Sequence, residues 1–287
     1  MSISWELLTL PIVEAVVIGV LGGVVGAVAF AHKRIFFTES LTHATFPGAV
    51  LGVVVVAGAT QIFAGERANF TALHMAILLG AVALCGLMIG LMHWLASFPQ
   101  LSSQSAAGIV LTFGFALGYF LNKWFAPLPV KVDSFLVGSL LNVGVADVVA
   151  AAVVLAIAIV VVAYGGGRLA FYSFDPIGYR ASGLSVGLAE MIILGLITLA
   201  VVVLVPGVGT ILPIALIAGP AAAAAKWAST FPTLTIISGI FGALASISGL
   251  ALGVLWELSV GGMIAICCGA CFAISEVCSA ARHSWRI

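Results

Sequence analysis

The chain has 287 residues, of which 63% are hydrophobic and only 7% are charged. Soluble globular domains are about 45–50% apolar, so this composition excludes a soluble enzyme and indicates an integral membrane protein, as does the mean hydropathy of +1.31. Ten basic and ten acidic residues leave no net charge. No basic cluster of the kind that binds nucleic acid is present.

Apolar segments long enough to cross a bilayer follow one another along the chain. A spanning helix needs about 20 mostly apolar residues, which predicts an all-α, polytopic bundle forming one transmembrane domain over residues 1–287. We expect eight to nine spans, because Pro213, Gly219 and Pro220 can break the segment 208–226 into two short pieces. The predicted segments cover residues 11–31, 37–60, 71–96, 105–122, 144–164, 188–205, 208–226, 231–254 and 258–280.

The basic residues divide unevenly between the two ends of these segments. If the N-terminus is outside, seven of them fall inside and three outside, and cytoplasmic loops are the ones enriched in Lys and Arg. The pattern therefore predicts an external N-terminus and a cytoplasmic C-terminus. The inner set is Lys33, Arg34, Arg168, Arg180, Lys226, Arg282 and Arg286, and the outer set is Arg67, Lys123 and Lys131.

An acid and an imidazole stand four residues apart in the second segment. Glu39 and His43 therefore share one helix face, and ionisable groups at membrane depth indicate function because they are costly there. A carboxylate oxygen and an imidazole nitrogen suit a divalent transition metal. Pro47 has no N–H, so the carbonyl of His43 loses its helical partner and we expect a break there. A structural pair that fixes one helix to another is the alternative interpretation.

The other acids and histidines give weaker signals. Asp147 and Glu190 stand near predicted helix ends, where we expect them to be solvated. His74 and His93 stand near the two ends of the third segment and are expected to be packed or wetted there.

An internal connection, predicted at residues 165–187, contains the signals of a short helix. Asp175 can cap such a helix with Pro176 at its first position, and Gly183 can end it. A short capped helix in a cytoplasmic loop suits contact with a soluble partner, and an ordinary tight connection is the alternative.

The chain contains no G-x-x-x-x-G-K-[ST] phosphate-binding loop, so we expect no nucleotide hydrolysis by this chain and no enzymatic activity. A transporter built on it needs an ion gradient or a partner ATPase. Cys268 and Cys271 have the spacing of a metal or redox pair, but small residues packing on a membrane helix is the preferred interpretation.

Five stretches in order carry a resemblance to a known family. They are Lys33-Arg34 with Glu39, His43 and Pro47-Gly48, then residues 133–138, residues 174–176 with 180–184, residues 208–213 with 219–222, and residues 248–250 with 259–262. Together they resemble the membrane permease subunits of the manganese, zinc and iron family of ATP-binding-cassette (ABC) importers, over nearly the whole chain. The family usually has Asp where this chain has Glu39, which keeps the charge on a longer side chain.

The resemblance implies a homodimeric permease in the cell membrane of a prokaryote, among membrane lipids. Glu39 and His43 would contact the metal in transit, with manganese favoured and zinc or iron possible. The metal is a substrate, and no permanently bound cofactor is expected. A gradient-driven secondary metal transporter and a permease for siderophores or other metal chelates are the alternatives.

The resemblance also implies partners. A cytoplasmic ATP-binding subunit would dock on the coupling segment, and an extracytoplasmic metal-binding protein would deliver the ion. The expected coupling residues are Asp175, Pro176, Tyr179, Arg180, Ala181, Gly183 and Leu184. The expected helix breaks or gating positions are Pro47, Pro213, Gly219 and Pro220.

Overall fold

The computed structural model describes residues 5–63, 70–128, 138–210 and 212–284. Within these ranges the chain forms ten α-helices and one 3₁₀ turn, Leu140–Asn142, and no strand. Eight of the helices are long and apolar enough to span a membrane, so the predicted all-α polytopic bundle is confirmed. The helices are α1 Trp5–Ala31, α2 Ile35–Phe63, α3 Phe70–Ala96, α4 Ser103–Trp124, α5 Val145–Phe174, α6 Pro176–Ala181, α7 Val186–Val208, α8 Pro213–Ala225, α9 Phe231–Leu255 and α10 Val260–Ser284.

Helix α5 is longer than predicted. We expected it to end near residue 164, but it continues through three consecutive glycines to Phe174. Gly166 is buried there, and a Cβ on it would lie 3.2 Å from Cε1 of Phe231 at the start of α9. The glycine thus serves close helix packing rather than a turn, as small residues often do in membrane helices. The connection between α5 and α7 is therefore shorter than predicted and covers residues 175–185.

The weakest predicted segment, 208–226, forms the short helix α8. The chain breaks at Gly209, which has a φ of +85°, and α8 then begins with Pro213 as its first residue. It continues through Gly219 and Pro220, so these two residues do not interrupt it as we expected. Its 13 residues span about 20 Å, which is less than a bilayer core. Helix α2 likewise continues through Pro47.

The helices other than the short α6 form two groups. Helices α2 to α4 pack on one another and make up the three-helix unit, while α1, α5 and α7 to α10 make up the six-helix unit. Glycines allow close contact within each unit. A Cβ on Gly48 of α2 would lie 2.5 Å from the carbonyl oxygen of Gly80 in α3, and one on Gly19 of α1 would lie 2.6 Å from that of Gly242 in α9. Between the units, α7 packs on α2 and α3, and α8 and α1 also contact α2.

One face of the bundle, here called the α6 face, collects the C-terminal ends of α1, α5, α8 and α10. His32, just after α1, lies 3.4 Å from Ser173 Oγ near the end of α5. Lys226, just after α8, forms a 3.0 Å salt bridge with Glu276 near the end of α10. Helix α6 follows α5 directly and lies at the same face.

The opposite face holds the 3₁₀ turn Leu140–Asn142 and the end of α7. The amide of Ser139 donates to the carbonyl of Pro206 at 3.3 Å. Because α1 ends at the α6 face, it begins at the opposite face, whereas α10 ends at the α6 face. The first and last helices therefore start and finish on opposite sides of the bundle.

Candidate functional site

Glu39 and His43 meet within α2, as their spacing predicts. His43 Nε2 lies 3.4 Å from Glu39 Oε1, and the side chains are only 13% and 17% exposed, respectively. The remaining polar atoms, Glu39 Oε2 and His43 Nδ1, are buried without a hydrogen-bond partner in the protein. An oxygen and a nitrogen that could coordinate a divalent cation thus lie in the interior of the protein without any hydrogen bond.

Neighbouring helices hold this turn of α2 on two sides. Ser40 Oγ donates to the carbonyl of Ala107 in α4 at 2.7 Å, and Cys85 Sγ of α3 lies 3.6 Å from the carbonyl of Leu41. The ring of Phe115 in α4 meets the His43 imidazole edge to face, with centroids 5.6 Å apart. These contacts fix the position of the helix turn and restrict the orientation of the imidazole.

The turn after His43 is packed closely against α4. Gly118 contacts the ring of Phe46, and a Cβ on Gly118 would also lie 3.0 Å from Pro47 Cδ. A Cβ on Gly114 would lie 3.4 Å from the carbonyl oxygen of His43. The carbonyl that Pro47 deprives of its helical donor therefore lies against Gly114 of α4.

One chain supplies a pair of ligands rather than a complete metal site. No group of three or more His, Cys, Asp or Glu side chains that could hold a metal occurs in the part of the chain that the structure describes. Cys268 and Cys271 are free thiols. The Cβ of Cys268 would lie 3.0 Å from a Cβ on Gly219, which supports the packing interpretation.

The predicted short helix in the connection after α5 is present, with its predicted caps. Asp175 Oδ1 accepts a hydrogen bond from the amide of Gly178 at 2.8 Å, and Pro176 is the first residue of α6. Gly183 follows the helix end with a φ of +75°, a conformation that glycine adopts without strain.

The side chains of α6 divide into an anchor and an exposed surface. Tyr179 is only 5% exposed, and its ring packs on Phe171 and Tyr172 with centroids 5.5 Å and 5.4 Å apart. It therefore attaches α6 to α5 and does not face a partner, contrary to its place among the expected coupling residues. Leu184 is half-buried, and the exposed members of that set are Asp175, Pro176, Arg180, Ala181 and Gly183.

The sequence did not identify the most prominent side chains of this surface. Ile177 is 84% exposed and Phe174 is 76% exposed, at the solvent-facing end of the bundle. Exposed apolar side chains grouped at such a position indicate an interaction surface. In a chain that is apolar almost throughout, an isoleucine or a phenylalanine does not differ from its neighbours in hydropathy, so the sequence does not predict which of them is exposed.

Three polar contacts between helices were also missed. Arg34 forms a 3.1 Å salt bridge with Glu190, and His93 Nε2 lies 3.4 Å from the same carboxylate oxygen. At the opposite face, His74 Nε2 lies 3.3 Å from Asp147 Oδ1. These acids do lie near helix ends, but each one is paired rather than merely solvated.

Glu14 of α1 is fully buried, and neither of its carboxylate oxygens has a hydrogen-bond partner. A carboxyl group buried without a partner loses its hydrogen bonds to water, which costs about 1–3 kcal/mol, and an apolar residue of similar size removes that cost. We expect Glu14→Leu to stabilise the detergent-solubilised permease by about 1–3 kcal/mol, measured as a higher melting temperature. Glu276→Leu, which removes a paired carboxylate, should give no such gain. A lower melting temperature for Glu14→Leu would contradict the prediction.

Residues 4–279 match the model of the ABC 3 transport family. The chain belongs to this family. The match covers both the Glu39–His43 turn and α6, so the resemblance seen in the sequence is confirmed. The chain is a membrane transport subunit and not an enzyme, and the alternative of a gradient-driven secondary transporter is set aside.

Individual relatives are similar along most of their length. The chain is 24% identical over 274 residues to the manganese transport system membrane protein MntC of Halalkalibacterium halodurans, covering 95% of this chain and 87% of that protein. It is 28% identical over 239 residues to the zinc transport system membrane protein TroC of Treponema pallidum, covering 81% and 75%. Among solved structures, PsaBC from Streptococcus pneumoniae in complex with Fab matches with a TM-score of 0.79 and 25% identity, over 94% of this chain and 91% of that one.

Proposed function

We propose that this permease moves a divalent transition metal ion, manganese being favoured, into the cytoplasm, and that Glu39 and His43 contact the ion. The observation that carries the proposal is their geometry, in which an acid and an imidazole meet in an apolar bundle and each keeps a buried polar atom unpartnered. Oxygen and nitrogen donors suit manganese, iron and zinc. The manganese and zinc systems of the relatives agree with this class of substrate.

A second copy of the chain would complete the site. Two copies would supply two carboxylates, which balance the double charge of the ion, and two imidazoles. Phe115, whose ring contacts His43, is 43% exposed, so the pair lies close to a surface that another copy can reach. A small donor set also suits transport, because an ion that binds too tightly is not released.

Energy would come from a separate ATP-binding subunit docked on α6, with Ile177 and Arg180 exposed to it. This places the α6 face in the cytoplasm and the N-terminus outside, where an extracytoplasmic metal-binding protein would deliver the ion. The basic residues support this orientation, because cytoplasmic ends are enriched in them. The basic residues of this chain that lie at or near the α6 face are Lys33, Arg34, Arg168, Arg180, Lys226 and Arg282.

The test is uptake by the permease reconstituted in liposomes with its ATP-binding subunit and its binding protein. Manganese, iron and zinc are supplied separately and in competition, with and without ATP. We expect ATP-dependent uptake in which manganese competes best. Preferred uptake of zinc would reassign the metal, uptake of an intact chelate but not of a bare ion would favour the siderophore class, and uptake without the ATP-binding subunit would contradict the proposal.

A further inference from the structure

A concave pocket of about 420 Å³ lies at the α6 face, where the turn between α1 and α2 meets the start of α4 and the end of α5. We call it the turn pocket. No Asp or Glu is among the described residues that line it. Its polar side chains are those of His32, Lys33 and Arg34 from the turn, Ser103 and Gln104 from α4, and Ser173 from α5.

The positive charge of the turn pocket comes from Lys33 and Arg34. Burial lowers the pKa of His32, and the neighbouring Arg34 lowers it further, so the imidazole is neutral at pH 7. Glu190 balances the charge of Arg34 through their 3.1 Å salt bridge. Lys33 is exposed and forms no salt bridge with any residue that the structure describes. The pocket therefore carries one positive charge without a counter-charge.

The turn that carries Lys33 has a strained backbone. Lys33 has a φ of +56°, in the left-handed region that glycine adopts more easily than other residues. The amides of residues 32, 33 and 34 donate to carbonyls in the last turn of α1 at 3.0, 3.0 and 2.9 Å, so the turn closes α1 as a glycine commonly does. Strain of this kind is typical of positions where a side chain has a function.

The turn pocket is also rich in hydrogen-bond donors. It is lined by the first turns of α2 and α4, and the amides of a first turn have no acceptor within their own helix. Arg34 donates to Ser103 Oγ at 3.0 Å, so the hydroxyl proton of Ser103 can still donate elsewhere. Two helix N-termini, further donors and an unbalanced positive charge together suit a phosphate group.

The turn pocket lies at the depth where a phospholipid carries its phosphate. The span of α1 ends at Ala31 and that of α2 begins at Ile35, so residues 32–34 lie at the membrane boundary, next to the lipid headgroups. Phe36 also lines the pocket, is 47% exposed and lies on the membrane side of the turn. Basic pockets between spanning helices at the cytoplasmic face bind anionic headgroups.

We propose that the turn pocket binds the phosphate group of an anionic phospholipid, with Lys33 and Arg34 contacting the phosphate and Phe36 contacting the start of an acyl chain. The proposal rests on the function proposed above only for the leaflet, because that function places the α6 face in the cytoplasm. Pro176, the first residue of α6, lines the same pocket. The bound lipid would therefore adjoin the helix on which the ATP-binding subunit is proposed to dock.

The test titrates the full-length permease in detergent with phosphatidylglycerol and measures the bound lipid by native mass spectrometry. Phosphatidylcholine with the same acyl chains has no net charge and reports on apolar contacts alone. Inorganic phosphate is added as a competitor to distinguish a lipid headgroup from free phosphate. We expect phosphatidylglycerol to bind more tightly than phosphatidylcholine, and an equal concentration of inorganic phosphate to leave it bound.

Lys33→Gly is the most informative variant, because glycine adopts a φ of +56° without strain. We expect the affinity for phosphatidylglycerol to fall by about tenfold, as for loss of one charge-assisted hydrogen bond. The melting temperature of the lipid-free permease should stay the same or rise. Lys33→Arg keeps the charge and should retain binding. Arg34→Gln should also weaken binding, but it breaks the salt bridge to Glu190 as well.

Arg168→Gln is the matched control, because it removes one positive charge from an exposed residue of α5 that does not line the turn pocket. It should bind phosphatidylglycerol as the wild type does. Equal binding of the two lipids by the wild type, or unchanged binding by Lys33→Gly, would overturn the proposal. So would displacement of the lipid by inorganic phosphate or by the ATP-binding subunit. Failed metal uptake with normal lipid binding would instead count against the proposed function.

Discussion

Replacing Glu39 or His43 by alanine is expected to abolish ATP-dependent metal uptake while the bundle stays folded. The two side chains are the ionisable groups of an otherwise uncharged turn, and each keeps an unpartnered polar atom. In a site shared by two copies, each substitution removes two of four donors. Loss of a supporting residue outside the ligand set already lowers metal affinity by about 10–100-fold, so we expect a loss of about 100-fold or more. Uptake of radiolabelled manganese, at matched protein levels, is the measurement.

A conservative variant and a double variant separate a metal site from a structural pair. Glu39→Asp keeps the carboxylate and should retain uptake. If the 3.4 Å contact serves only to join the helix turn, the single variants should lower the melting temperature and the double variant should recover it. If the pair binds metal, the double variant is as inactive as either single one. Near-normal uptake by His43→Ala would contradict the site.

Replacing Ile177 by aspartate is expected to weaken the coupling of the permease to its ATP-binding subunit, so that stimulated ATP hydrolysis and metal uptake fall together. Ile177 is 84% exposed on α6, so its loss leaves the packing of the permease intact, whereas a charge there would disrupt the apolar contact that we propose with the ATP-binding subunit. We expect metal uptake to fall by about tenfold or more, as for a central contact residue of an interface. Hydrolysis stimulated by the metal-loaded binding protein should fall with it.

Two variants control this experiment. Ile177→Val keeps an apolar side chain and should retain coupling. Tyr179→Ala removes the buried anchor and should destabilise the permease itself, by about 3–5 kcal/mol for loss of a large aromatic side chain. Gly183→Pro is less informative, because proline cannot adopt the φ of +75° found there. Normal transport by Ile177→Asp in an assembled complex would show that α6 has another role.

The sequence by itself determined the helices and the local sites. In lipid no water is available to the backbone, so a spanning segment must form its hydrogen bonds within itself, as a helix does. The length of each apolar segment therefore predicts a spanning helix. Capping is equally local, which is why Asp175, Pro176 and Gly183 predicted α6 correctly. The Glu39–His43 contact follows from a spacing of four residues on one helix face.

Only the tertiary structure decided which helix faces meet. Helices that are apolar all round show no amphipathic contrast, so hydropathy does not distinguish a face packed on protein from one in lipid. The burial of Glu14, the inward position of Tyr179 and the exposure of Ile177 depend on that choice. So does the pairing of Arg34 with Glu190, which are 156 residues apart. The breaks predicted at Pro47 and Pro220 do not form, because packing against neighbouring helices keeps α2 and α8 helical past these prolines. The chain breaks at Gly209 instead.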